Sequence, residues 1–306
     1  MKLKSAILLA VFLLCIVGCD KLISYFQDNE VRRVIDPSFP VVDLNERAKN
    51  NKILLVTTIE DSIVLVVEGP VVLKDKIDDI RSDCEKALSF IKSYYGDKTE
   101  SKITLVFIDG RNVTNYSYRF PRKNGFTHLI LYNQREEILS SFSLYSLVRD
   151  IASNINIFKD ISDGNCFEVG ISQYVALQFL EKTDEERYKK RAASFAKDFC
   201  DSEIRKNLWT WYDDNGLKNI SSLSKEQLHL YYDEIDKYYR ASGGIYLYLE
   251  ALLGRETCNK AIKTLINTDF ICQDDVFFKK FTEIVGIDIR KEKDEKIKEV
   301  LSRYLN

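Results

Sequence analysis

The hydrophobic period of this 306-residue chain is mixed in its first half and helical throughout its second. Up to Tyr132 the apolar residues come mostly in short β-rich runs, and from Ser143 onward they recur at helical spacing. Ile53 to Ile59 and Ile63 to Val67 flank Glu60-Asp61-Ser62, which predicts a hairpin. Ile77, Ile80, Cys84, Leu88, Ile91 and Tyr95 step by three and four residues, and Gly96 stands where a glycine ends a helix. Ile103 to Ile108 and Phe126 to Tyr132 are two further predicted strands. A helix follows over Ser143 to Ile155, and everything from about Ser162 onward is helical. The expected class is α+β: a small mixed β-sheet with one long helix, then a mainly α-helical half. The expected division is an α+β subdomain over residues 51–158 and a helical subdomain over 159–306.

The start of the chain has a different character. Met1-Lys2-Leu3-Lys4 is a basic leader, Ala6 to Val17 is apolar, and Ile16-Val17-Gly18-Cys19 resembles the lipobox of bacterial lipoproteins. The apolar run falls short of the roughly 20 residues that span a bilayer comfortably. The resemblance implies a cleaved signal peptide (1–18), a lipidated Cys19 that ties the protein to a membrane, and an extracytoplasmic place in a bacterial cell envelope. An uncleaved signal anchor is the alternative. Asp20 resembles the inner-membrane retention signal of enteric-type bacteria, a rule that need not hold elsewhere, so the membrane stays open. Residues 19–50 form a tether broken at Pro37-Ser38-Phe39-Pro40, and Tyr25, Phe26, Val41 and Val42 suggest partial packing on the body.

Charge and cysteine usage exclude several classes. Forty-five basic residues against 47 acidic ones give a net charge of -2, made more negative by loss of Lys2 and Lys4, which is no nucleic-acid footprint. Cys84, Cys166, Cys200, Cys258 and Cys272 are odd in number and widely spaced, so buried thiols are expected rather than a disulfide framework. The only histidines, His128 and His229, lie far from any G-x-S-x-G, and no glycine-rich phosphate loop occurs. Arg111 to Lys123 interleaves Arg111, Arg119, Arg122 and Lys123 with Tyr116, Tyr118 and Phe120, and reads as a loop at a rim or membrane-proximal face.

Two helices carry a family resemblance. Leu147-Val148-Arg149-Asp150-Ile151-Ala152-Ser153-Asn154 has the apolar rhythm of a helix bearing H-E-x-x-H, with Arg149 at the first His, Asp150 at the Glu and Ser153 at the second His. Phe167-Glu168-Val169-Gly170-Ile171-Ser172-Gln173-Tyr174-Val175 is similar to the L-N-E-G-x-A-E-Y-V helix of gluzincin zinc peptidases, with Val169 at the third ligand. Tyr239 to Gly254 resembles the aminopeptidase-N-like pattern Y-x-x-G-x-x-x-x-x-Y-L-x-x-x-x-G, in which the leading tyrosine donates to an oxyanion; Tyr239 holds that position. The likeness spans roughly residues 50 to 306 and implies a gluzincin-like fold with a cleft between its halves.

The ligand positions decide what that likeness implies for chemistry. Catalytic zinc takes three protein ligands and a water, from neutral imidazole, thiolate or carboxylate. A guanidinium has no lone pair to give and stays protonated, serine is a poor ligand, and valine is none. The expectation is a pseudopeptidase without metal or cofactor, which binds an extended peptide or envelope polymer. Arg149, Asp150, Glu168 and Tyr239 are its candidate cleft residues, with Arg149 expected to pair with a carboxylate. Three alternatives stand beside it. Arg149 and Ser153 could be ordinary solvated helix positions; Asp150, Glu168 and Tyr239 could surround a recruited cation in an active hydrolase; or the outer surface could serve as an envelope scaffold. Under the binding reading, strand Phe126 to Tyr132 is expected at the sheet edge, where a peptide backbone can add to it.

Overall fold

The computed structural model describes residues 49–99, 102–109, 117–122, 125–132, 141–154, 166–214, 225–268 and 274–305. The expected signal peptide, Cys19 and the expected tether up to residue 48 lie outside the described residues, as do Cys272 and residues 110–116. Residues 51–306 form one compact unit.

Five strands build one sheet: β1 (Lys52–Ile59), β2 (Ile63–Gly69), β3 (Lys102–Asp109), β4 (Ser117–Arg122) and β5 (Gly125–Tyr132). Their order is β1-β2-β3-β5-β4, with the outer pairs antiparallel and the inner pairs parallel. The β1/β2 hairpin expected from the sequence is present, and its turn holds Glu60 and Asp61 at φ 49° and 55°. Alternation sets the buried face: Ile63, Leu65 and Val67 of β2 and Ile103, Leu105 and Phe107 of β3 enter the main core.

Two sequence expectations fail in the sheet. Residues 117–122 are a strand and not a loop, because pairing from Ser117↔Ile130 to Arg122↔Gly125 satisfies a backbone in which two arginines and a proline mask the strand preference of Tyr118 and Phe120. As a result the strand Phe126 to Tyr132 is not at the edge. It lies within β5, between β3 and β4, with both sides engaged.

Helix α1 (Ile77–Tyr95) buries Ile80, Cys84, Ala87, Leu88 and Ile91 along the stripe its spacing predicts. It ends at Gly96, whose φ of 53° is open to glycine at little cost. The Lys92 ammonium near that end reaches the hairpin turn, donating to Ser62 Oγ at 2.9 Å. Helix α2 (Ser141–Asn154) packs on α1 and beside β4 and β5.

The rest is helical: α3 (Cys166–Thr183), α4 (Glu185–Cys200), α5 (Ser202–Asp214), α6 (Lys225–Leu253), α7 (Arg255–Ile266), α8 (Asp274–Val285) and α9 (Asp294–Leu305). Helix α3 is central, buried at every position from Cys166 to Leu180 except Val169, and it packs on α2, α4 and α6. Small residues permit its approach to α6. A Cβ at Gly170 would stand 2.4 Å from the Ser242 carbonyl oxygen, and one at Gly243 equally close to the Phe195 ring.

A buried carboxylate ties three helices together. Glu250 of α6 accepts from Tyr174 Oη at 2.7 Å and Gln178 Nε2 at 2.9 Å, both on α3, and from Arg255 Nη2 of α7 at 3.0 Å. Both of its oxygens are hydrogen-bonded, which offsets part of the cost of burying the group. Cys84, Cys166, Cys200 and Cys258 are buried free thiols. One continuous core runs from the sheet through the helices. Among the described residues, no helix is long and apolar enough to cross a membrane.

Candidate functional site

Helix α2 turns Leu147, Val148, Ile151 and Ala152 into the core and leaves Arg149 and Ser153, four residues apart, only partly buried. The shared face expected of the two positions is thus present. The Arg149 side chain is 24% exposed and that of Asp150 9%. Arg149 Nε and Nη2 both donate to Asp150 Oδ1, at 2.9 and 2.7 Å. This is the arginine–carboxylate pair expected from the sequence. Burial pulls the guanidinium down, but the Asp150 carboxylate, with Tyr145 and Tyr239 nearby, holds it above its ordinary value. Tyr239 of α6 is therefore close enough to Arg149 to act on its charge. Ser153 Oγ donates to the Asp150 carbonyl at 3.1 Å.

Helix α3 supplies the other half. Val169 is half-buried and packs against the core, and its carbonyl accepts from Ser172 Oγ at 2.8 Å. Glu168 is buried and faces tyrosines: it acts on Tyr95 and Tyr246, whose hydroxyls burial pushes far above their ordinary range. One turn beyond Val169, Gln173 accepts from Tyr145 Oη at 2.6 Å and so pins α2 to α3. Tyr145 and Gln173 escaped the sequence reading. Their only signal was position, since each lies four residues from a motif residue and therefore on its face.

These donors do not fit zinc. Arg149 offers N–H groups where a lone pair is needed, Val169 presents methyls, and the Ser153 hydroxyl is engaged by its own helix. Asp150 spends Oδ1 on Arg149. Among the described residues no group of three or more His, Cys, Asp or Glu side chains converges as a metal site would require. What the arrangement offers is the remaining N–H groups of a partly buried, carboxylate-paired arginine, with Tyr239 near enough to act on its charge. Such donors suit an anion or a carbonyl oxygen.

No family model matches the chain, and no curated protein does. Among solved structures it is similar to an aminopeptidase N family protein from Idiomarina loihiensis, with a TM-score of 0.48 and 15% identity, covering 78% of this chain and 45% of that one. It is also similar to a mutant M1 zinc metallopeptidase from Deinococcus radiodurans, with a TM-score of 0.45 and 10% identity, covering 82% of this chain and 51% of that one. The chain spans about half the length of these two structures.

Proposed function

We propose that this chain is a lipid-anchored protein of the bacterial envelope whose peptidase-like domain binds an extended, anionic peptide or envelope polymer and does not hydrolyse it. The observation that carries the reading is the Arg149–Asp150 pair at the place where the resemblance puts a histidine and a general base. A guanidinium held by one carboxylate oxygen keeps N–H groups for a ligand while closing the position to a metal. Tyr239 lies near enough to act on the charge of Arg149 and is the second candidate contact.

An extended ligand has a backbone to pair with. The strand that can offer one is β4, the outer strand next to α2, and not β5. Strand addition needs main-chain groups and side-chain pockets alone, so it does not depend on a metal. The anchor is the lipid on Cys19, and Cys19→Ala should abolish fatty-acid labelling while leaving the body from Asn51 onward folded.

A peptide array graded from acidic to basic tests the reading. Wild-type protein should favour acidic members, and both Arg149→Ala and Tyr239→Phe should weaken capture. Unchanged capture in both variants would take the function away from these residues and place it on the outer surface, as a scaffold reading requires.

A further inference from the structure

A second cation-rich site lies one turn before Arg149 on α2. Arg187, Lys190, Arg191 and Ser194 fall at positions i, i+3, i+4 and i+7 of α4 and share one face. With Tyr145 of α2 and Leu180 of α3 they line a cavity of about 250 Å³. Ligand pockets for whole small molecules begin at about 300 Å³, so this one suits a single charged group with a short stem.

The cavity holds its arginine in place without neutralising it. The Arg191 guanidinium lies over the rings of Tyr145 and Phe195, each centroid 5.4 Å away. Its Nε is buried and finds no hydrogen-bond partner among the described residues. The carboxylate it approaches, Asp236 Oδ1, is 3.9 Å away, and the other oxygen of Asp236 bonds Arg240. Lys190 pairs with Glu186 at 2.6 Å, but both side chains are largely exposed, and such a pair yields readily to a better anion. Arg187 lies 3.4 Å from Asp184, the carboxylate that caps α4 by accepting from Arg187 N.

We propose that this cavity binds a phosphate-type oxyanion. Two planar guanidiniums offer paired N–H groups to its oxygens and Lys190 adds a point charge. Lys190 and Arg191 have the weaker carboxylate partners, one exposed and one distant, and with Arg187 they can share the oxygens of one dianion. Tyr145 and Leu180, both buried, lie beneath the cations as the floor of the pocket. The site does not depend on the binding role of Arg149.

The test is calorimetric titration of the full chain in detergent with inorganic phosphate and with dihexanoyl phosphatidic acid, against sodium chloride at matched ionic strength. Binding of phosphate supports the site and identifies the free ion as sufficient. Binding of the lipid alone supports it as a headgroup site. The double variant Arg187→Gln, Lys190→Gln changes exposed side chains and should weaken the interaction about tenfold or more, the factor that one charge-assisted contact contributes. An equal response to chloride, or undiminished binding in the variant, would overturn the proposal.

Discussion

Arg149 and Asp150, adjacent on one helix, form a two-bond ion pair in which a single carboxylate oxygen receives both donors. Neighbours on a helix point about 100° apart, so the pair exists only because the long arginine side chain folds back. The carboxylate is nearly buried and the guanidinium is not, so loss of the arginine exposes the imbalance. Arg149→Met should destabilise the fold by about 1–3 kcal/mol, the usual cost of depriving a buried carboxylate of its cation. Adding Asp150→Asn should recover part of the loss. Urea unfolding of the single and double variants checks this, and a double variant less stable than Arg149→Met would refute it.

Gly170 and Gly254 separate two uses of glycine. A Cβ at Gly170 meets the Ser242 backbone, which cannot turn aside, whereas Gly254 has open space around it and a φ of 83°. Gly170→Ala should therefore cost about 2–4 kcal/mol by prising α3 from α6. Gly254→Ala should cost about 1–3 kcal/mol, from strain in a φ, ψ region that is essentially glycine's alone. Thermal melts of the two variants give the order directly.

Much of the architecture was legible because it is written in local periods. The hairpin, α1 with its terminal glycine and the helical second half all follow from spacing that any neighbour in the chain can read. Strand β4 was not, since its Arg119, Pro121 and Arg122 form a strand only by pairing with β5. The same limit misplaced β5 at the edge, because sheet order depends on which strands meet in space. In the site, the pairing of Arg149 with a carboxylate followed from charge and proximity. The Tyr145–Gln173 bond and the Arg191 cavity did not, because each joins separate helices and neither residue type marks the contact. Gly170 was visible as a motif letter, but its physical reason, the approach of Ser242, is tertiary.

Glu68 of β2 gives the fold a pH dependence. The residue is buried, its Oε2 finds no hydrogen-bond partner among the described residues, and burial pushes its carboxyl up to about 7. In the unfolded chain the group titrates near 4.3. Between those values the native state keeps a proton that the unfolded state releases, so stability falls as pH rises from about 4.3 to about 7 and is then flat with respect to this group. The loss is on the order of 3 kcal/mol. Glu68→Gln should remove that slope and stabilise the protein at pH 8, measured by denaturant unfolding across the range.

The metal content of protein purified without chelator checks the proposal that the Arg149 site binds no metal. With Arg149, Ser153 and Val169 at the three ligand positions, mass spectrometric analysis should find zinc well below one equivalent, and chelator should leave the melting temperature unchanged, because no metal-binding free energy is there to be withdrawn. One equivalent of zinc, with a melting temperature that falls on chelation, would contradict the account.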